Sequence, residues 1–308
     1  MEEMNKKREI EAMKGDNEVE KLSQWGELCL PWLTPMELAN ASCTCRALRT
    51  IAESIQRRRC LDASRSLEPS PLPFHNPLTY PPYHHFLYAT SQFISTPRST
   101  SFPARQFWGG FHSSQKTPFP SSPACSCSVV EEIAFDCGEQ CVTRRGISLK
   151  LKIIWGEKKG WGLFADQAIP KHEFICEYAG ELLTTEEARK RQSMYDCLSR
   201  IERFSAALLV VREHLPSGKA CLRMNIDGTR IGNVARFINH SCDGGNVWSA
   251  LIRSCDSVLP RLCLFSGREI EEGEELTFSY GESRVRSNGA QCFCGSSSCF
   301  GTLPSDHT

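Results

Sequence analysis

Three cysteines fall within eight residues near the end of the chain, Cys292-Phe293-Cys294-Gly295-Ser296-Ser297-Ser298-Cys299, and this C-x-C-x4-C run constrains the fold more than any other stretch. Glycine and serine bring almost no apolar side chain, so the segment has no core of its own and must be stapled by something other than packing. A disulfide or a metal ion can do that. Disulfides persist in oxidising compartments, and Met1 to Lys21 mixes both charge signs with no apolar h-region, so no secretory signal is read there. Thiolate ligation of Zn²⁺ is the better reading. Three thiolates leave one tetrahedral position, filled either by a side chain from elsewhere, giving a closed structural site, or by water, giving a catalytic one.

Composition excludes several classes of function. With 36 basic and 36 acidic side chains the formal charge is zero, so no general attraction to nucleic acid phosphate operates, and sequence-specific nucleic acid binding is not expected. The longest apolar stretches, such as Ala206 to Val211, are far short of the roughly 18 residues that cross a bilayer. No G-x-x-x-x-G-K-[ST] and no G-x-G-x-x-G followed by a helix occurs, which argues against a nucleotide triphosphate or Rossmann dinucleotide site.

Texture divides the chain. Residues 1–20 read as a charged, solvated helix or frayed tail. Between Leu22 and Ile55, Leu28, Leu30, Leu33, Leu38, Ala41, Cys45, Leu48 and Ile51 recur mostly at three- and four-residue steps, the mark of amphipathic helices, and Pro31 and Pro35 break the series into short ones. Leu30-Pro31-Trp32-Leu33-Thr34-Pro35-Met36-Glu37-Leu38-Ala39 followed by Cys45-Arg46-Ala47-Leu48 resembles the second half of an F-box. That resemblance covers about twenty loosely specified residues and implies an adaptor partner for residues 20–65, against the plain alternative of a helical packing segment.

Residues 66–124 hold 11 of the 17 prolines and a single acid, Glu68, which predicts irregular structure. The same stretch carries 11 of the 28 aromatics, Tyr80, Tyr83, Phe86, Tyr88, Phe107 and Trp108 among them, with His84 and His85 between. Free linkers are poor in aromatic residues. Part of it is therefore expected to lie extended against the folded domain.

From Gly146 onward strand signals dominate. Ile147, Leu149, Leu151, Ile153 and Trp155 alternate with mostly polar neighbours, as do Phe174, Cys176 and Tyr178, predicting half-buried strands. Thr184 with Glu187 forms a capping box, and the pairs Glu186–Lys190 and Glu187–Arg191 predict a helix over 185–199. Strands are predicted over 204–212, 220–226, 246–253, 260–267 and 275–280, with turns at Pro216-Ser217-Gly218 and Glu272-Gly273-Glu274.

Three further segments can carry chemistry. Asn233-Val234-Ala235-Arg236-Phe237-Ile238-Asn239-His240-Ser241-Cys242 crowds polar groups beside an apolar stretch. A Cys242 nucleophile with His240 as base is disfavoured, since residues two apart seldom face each other, and a metal role suits Cys242 better. In Glu274-Glu275-Leu276-Thr277-Phe278-Ser279-Tyr280-Gly281 the apolar residues share one face and Gly281 ends the strand, leaving the Tyr280 hydroxyl near an edge; a core strand with an amphipathic end is the plainer reading. Lys158-Lys159-Gly160-Trp161-Gly162-Leu163-Phe164-Ala165 is either an ordinary turn or a place where backbone approaches a ligand closely.

Taken in order, Gly160-Trp161-Gly162, Glu177-Tyr178-Ala179-Gly180-Glu181, Arg236 to Cys242, Phe278-Ser279-Tyr280-Gly281 and the C-x-C-x4-C tail resemble the SET-domain protein lysine methyltransferases over residues 147–303. Within them the chain is most similar to the plant suppressor-of-variegation-related branch, on Glu181-Leu182-Leu183-Thr184-Thr185, Val211-Arg212-Glu213-His214-Leu215-Pro216-Ser217-Gly218 and the Asp243-Gly244-Gly245-Asn246 insertion. The resemblance implies a mainly β SET fold of short twisted sheets with a knot-like C-terminal threading, an N-terminal helical segment (1–65), an irregular segment (66–124), a reduced pre-SET remnant (125–146), a catalytic domain (147–283) and a zinc-stapled post-SET tail (288–304).

It also implies chemistry. S-adenosyl-L-methionine is held by Gly160, Trp161, Gly162, Arg236, Asn239, His240 and Tyr280. Tyr280 is the catalytic tyrosine, orienting a lysine amine that must be neutral to attack. Phe278, Tyr178 and Phe237 line the lysine channel, and phenylalanine at 278 implies room for two or three methyl groups. Cys242 joins Cys292, Cys294 and Cys299 on Zn²⁺. The partner is a histone tail peptide or a nucleosome, the target in this branch being the ninth-position lysine of the third core histone, in the nucleus and on chromatin. A non-histone substrate, or a non-catalytic chromatin scaffold with an adaptor half, is the alternative.

The chain also departs from that pattern. The family's pre-SET module carries nine cysteines for three zinc ions, and the 125–146 remnant offers only Cys125, Cys127, Cys137 and Cys141, enough for one ion or none. Met224 stands where many relatives carry a channel tyrosine, and Ala207 lies near a cofactor-contacting one.

Overall fold

A computed structural model describes residues 20–33, 35–75, 86–94, 134–135, 142–201, 204–214, 221–253, 259–281 and 290–304. Proline placement sets the N-terminal helices. Residues 20–29 are helical (α1) and tighten into a 3-10 turn, Leu30–Trp32, that contains Pro31; α2 (Pro35–Ser42) opens on a proline and α3 (Arg46–Leu61) follows. At a first helical position the absent N–H of proline costs nothing. Leu30, Leu38, Ile51, Ala52 and Ile55 form a small core between these helices. A Cβ on Gly26 would stand 2.8 Å from Ile51 Cδ1, so this glycine is what lets α1 lie against α3. The buried Arg59 guanidinium donates to the carbonyls of Pro31 and Leu33 at 3.0 and 3.3 Å, acceptors that the interrupted helix leaves without intrahelical partners.

A second, larger core lies in the C-terminal half and includes Ile153, Leu163, Ile175, Ile226 and Ile238. Around it, β4 (Leu151–Gly156) and β5 (Gly160–Ala165) make an antiparallel hairpin with Gly156 opposite Gly160. Gly160 closes that turn at φ +77°, a conformation costly for any side chain. The strands β6 (Phe174–Glu177) and β7 (Gly180–Leu183) lead into α4 (Thr185–Ile201), where Thr184 Oγ1 accepts the Glu187 N–H at 3.2 Å and both expected i,i+4 ion pairs are present.

Beyond α4, β8 (Leu208–His214) and the long β9 (Cys221–Gly232) pair antiparallel, and β9 also takes β7 as a neighbour. A 3-10 turn, Val234–Phe237, then delivers β10 (Asn239–His240). β11 (Val247–Arg253) and β12 (Arg261–Ser266) form a hairpin that continues onto β6, while β13 (Thr277–Phe278) pairs parallel with β10. Phe278 pairs with His240 on one side and bridges to Gly245 on the other. The late strand is thus inserted beside the earlier segment, the knot-like feature of the fold.

Two pieces of the proline-rich stretch belong to this architecture. β1 (Phe74–His75) pairs parallel with β4, β2 (Leu87–Tyr88) pairs parallel with the end of β9, and Phe93 bridges to Glu181. Upstream, the Asp62 carboxylate collects the N–H groups of Ser64, Ser66 and Leu72. The expectation of extended chain against the domain holds for residues 72–75 and 86–94, and irregular structure is not the whole account of this segment. A further short strand, β3 (Ala134–Phe135), pairs parallel with β11.

Several strand expectations shift. Ile147 and Leu149 are buried, but the strand starts only at Leu151. All four residues of β6 are buried, not alternate ones, because Phe174 faces one apolar cluster while Ile175 and Cys176 join the other. The predicted strand over 275–280 shrinks to Thr277–Phe278, and that over 220–226 runs on to Gly232. The turn at 216–218, the aromatics Tyr80, Tyr83, Phe107 and Trp108, the pair His84–His85, and Cys125, Cys127, Cys137 and Cys141 lie outside the described residues. Among the described residues no helix is long and apolar enough to cross a membrane.

Candidate active site and metal centre

Asn233 positions the segment that carries the site. Its side-chain oxygen caps the 3-10 turn by accepting from Ala235 N at 3.1 Å and also accepts from Ala179 N at 3.3 Å, while its amide donates to Glu177 O at 2.7 Å. The turn leaves Asn239 and His240 beside Thr277 and Phe278 in parallel register. Asn246, from the Asp-Gly-Gly-Asn insertion, locks the same strand by accepting from Thr277 N and donating to Glu275 O, both at 2.9 Å. A Cβ on Gly245 would sit 2.2 Å from Thr277 O, so only glycine permits this approach.

Tyr280 follows directly. Its hydroxyl donates to Ile238 O at 2.8 Å, and its ring lies 5.0 Å from Phe278 and 5.2 Å from His240. Burial pushes the phenol well above its ordinary pKa, with Tyr178, Glu275 and Cys292 adding to the effect. It therefore stays protonated, and with its proton committed to Ile238 the oxygen keeps lone pairs for a partly positive neighbour. Tyr178 is buried, and its hydroxyl donates to Ala207 O at 3.1 Å.

His240 joins this tyrosine to the cysteine cluster. Its Nδ1 accepts the Tyr280 N–H at 3.2 Å, and Nε2 stands 3.3 Å from Cys242 Sγ. Burial lowers the imidazole pKa, and a neutral ring that accepts at Nδ1 carries its proton on Nε2, facing the sulfur.

The sulfur atoms of Cys242, Cys292, Cys294 and Cys299 all lie within 4.8 Å of one another. Cys242 is 3.8 Å from Cys292 and 4.0 Å from Cys299. A disulfide needs about 2.05 Å, whereas tetrahedral arms of about 2.3 Å set sulfur atoms near 3.8 Å apart. The donor set fits zinc. A fourth thiolate is supplied by the chain itself, which makes the site the closed, structural kind. For Cys294, burial acts upward but is outweighed by the Cys242 and Ser296 N–H groups and by neighbouring thiols, which draw it down to about 6, while burial pushes Cys292 up to about 12.

On the other side, the β4–β5 turn borders a cavity of about 380 Å³ lined by Trp155, Lys159, Gly160, Gly162, Phe164 and Glu275, among others. Glu275 organises it, with Oε2 paired to Lys159 Nζ at 2.6 Å and Oε1 accepting from Asn239 Nδ2 at 2.8 Å. Asn239 also donates to Trp161 O at 3.3 Å. A Cβ on Gly162 would meet Glu275 Oε1 and Phe164 Cε2 at 2.9 Å. The Trp161 side chain is turned inward, edge-on to both Phe74 and Trp155 at 5.3 Å.

Comparison with known proteins decides the family. The SET-domain model matches residues 160–281. Histone-lysine N-methyltransferase SUVR3 of Arabidopsis thaliana is 46% identical over 321 residues, covering 91% of each chain. The chain belongs to the SET-domain histone-lysine N-methyltransferases. The crystal structure of the human SETMAR methyltransferase domain superposes with a TM-score of 0.60 at 27% identity, covering 80% of this chain and 98% of that one. The Arabidopsis thaliana SUVH6 structure, solved in complex with SAM, shares the fold at a TM-score of 0.56 and 24% identity, covering 79% of this chain and 56% of that one.

Set against this SET-domain site, the sequence-based residues fall into three groups. Gly160, Gly162, Asn239, His240, Phe278 and Tyr280 are gathered around β5, β10 and β13, with Cys242 and the tail cysteines adjoining through His240. Phe237 and Arg236 stand slightly apart. Phe237 packs edge-on to Phe74 and Phe86, and the Arg236 guanidinium lies over Phe86 and donates to Thr229 O. Met224 is buried on β9 opposite Val211. Glu275, Asn246, Asn233, Phe74 and Phe86 carry no site role in the sequence motifs; the doubled acid beside Leu276 and the asparagine ending the insertion are the signals that point to two of them.

Proposed function

We propose that this protein transfers a methyl group from S-adenosyl-L-methionine to a lysine of a histone tail, the ninth-position lysine of the third core histone being the branch's usual target, as a nuclear, chromatin-silencing enzyme. The observation that carries the reading is the Tyr280 hydroxyl, fixed by Ile238 between Phe278 and His240. When bound, the cofactor supplies an activated methyl on a sulfonium centre. Lys159 and Glu275 would offer charged groups of both signs to its amino-acid moiety, and Gly162 would let it approach the backbone beside Asn239.

The Tyr280 oxygen would accept from the amine or the methyl and align them, and alignment is the main source of acceleration in an in-line displacement. Buried Phe278 and Tyr178 exclude water, which favours the neutral amine that must attack. Zinc on Cys242, Cys292, Cys294 and Cys299 would hold the tail against His240. Incubating the full chain with labelled cofactor and core histones tests the reading. Absence of transfer, or label on a residue other than lysine, refutes it.

The adaptor reading for residues 20–65 keeps one supporting observation. Trp25, Leu28 and Trp32 are 55%, 73% and 83% exposed on a helical unit with its own core. Retention of a partner by the full chain, and its loss in Trp25→Ala with Trp32→Ala, is the outcome that reading requires.

A further inference from the structure

We infer that Phe74 and Phe86, from the proline-rich segment outside the family's recognised motifs, are positioning residues of the methyl-transfer site; the inference rests on the functional reading above. Phe74 stands edge-on to Trp161 at 5.3 Å and 82°, and to Phe237 at 5.8 Å and 83°. Phe86 meets Phe237 at 5.7 Å and 76°, and its face lies 5.0 Å from the Arg236 guanidinium carbon. These two rings therefore touch the glycine-flanked turn of β5 and the start of the Arg236–Cys242 segment at once. Edge-to-face contacts are orientation-dependent, so they fix where the partner rings point as well as burying them.

The segment is itself anchored where the rings need it. Phe74 pairs with Ile153 on β4, Leu87 with Ile231 on β9, and Ala89 N donates to Gly232 O at 2.8 Å. Arg236 is consequently held from three directions, by Thr229 O at 2.7 Å and by the faces of Phe86 and Phe237. Gly160 to Gly162 and Arg236 are the cofactor positions that the family resemblance implies. Loosening the rings behind them should weaken cofactor capture and spare the chemistry at Tyr280.

Full-length Phe86→Leu is compared with Phe174→Leu, whose ring is equally buried and edge-on to Phe265 in a separate cluster. Losing the cation–π contact with Arg236 and the ring contacts with Phe237 and Tyr88 predicts a KM for S-adenosylmethionine raised about tenfold in Phe86→Leu, with kcat within about twofold of wild type. Phe174→Leu should lose similar thermal stability and keep the wild-type KM. Equal KM values in the two variants, raised or not, overturn the inference, as does a fall in kcat without a change in KM. Should Phe86→Leu not fold, Phe86→Met is read in the same way. A wild-type chain that transfers no methyl overturns the functional reading first, whereas an active wild type with an unchanged variant overturns only this inference.

Discussion

His240 and Tyr280 are joined through main chain and ring together: the Tyr280 N–H donates to His240 Nδ1 at 3.2 Å, and the ring centroids are 5.2 Å apart. With Nε2 of the same imidazole facing Cys242 Sγ at 3.3 Å, a single side chain links the proposed catalytic tyrosine to a cysteine of the candidate zinc site. Outer contacts of this kind orient metal ligands and are felt in both affinity and activity.

Replacing His240 with alanine should therefore damage two properties together. Transfer activity and zinc affinity are each expected to fall about 10- to 100-fold, read by turnover and by metal retained after dialysis against a weak chelator. Loss of activity with zinc retention unchanged would show that the imidazole serves the active site alone.

Zinc should be required for more than stability. The described tail, residues 290–304, has little buried apolar side chain apart from Cys292, so stripping the metal should free the segment next to Tyr280. Chelation is expected to abolish transfer and zinc readdition to restore it, while Cys299→Ser lowers metal content by about one ion per chain, as loss of one of four ligands implies. Any second ion in the wild type would report on Cys125, Cys127, Cys137 and Cys141.

Gly162→Ala places a methyl 2.9 Å from Glu275 Oε1 and Phe164 Cε2 and 3.2 Å from Asn239 Nδ2. The Lys159–Glu275–Asn239 arrangement must then shift. The account expects a rise of about tenfold or more in the cofactor KM, the equivalent of roughly 1.4 kcal/mol, with a small change in melting temperature. Calorimetric titration with S-adenosylhomocysteine checks it independently of turnover.

Glu68 makes a pH prediction. Burial raises its carboxyl pKa despite bonds from Ile147 N–H and the Tyr88 hydroxyl, so the folded chain binds this proton at higher pH than the unfolded chain, where glutamate titrates near about 4.3. The folded form is then favoured below that window, and stability falls as pH rises through the raised value. Melting curves of wild type and Glu68→Gln should diverge as pH rises above the unfolded glutamate value of about 4.3, the wild type losing relative stability on the alkaline side. Parallel curves would contradict the assignment.

Much of the site could be read directly because its signals are local. The Thr184–Glu187 capping box, the glycine-flanked Trp161 turn and the closely spaced tail cysteines each depend on residues a few positions apart. What sequence reading missed depends on distance. Glu275 reads as a surface acid until Lys159, 116 residues away, is seen beside it. Phe74 and Phe86 sit in a stretch whose aromatic content predicts docking but not its place, which the two-residue strands beside β4 and β9 settle. β6 looked half-buried because alternation was read from side-chain polarity, and Glu177 is buried nonetheless through bonds to Ser91, Gln92 and Arg261.

The most direct test of the central claim removes one oxygen. Tyr280→Phe keeps the ring against Phe278 and His240 but deletes the hydroxyl held by Ile238. Mass spectrometry of core histones after incubation with S-adenosylmethionine should show lysine methylation by the wild type and, as expected for loss of a preorganised polar contact at the reacting centre, about 100-fold less by the variant, with zinc content and fold intact. Equal methylation by both proteins would contradict the account.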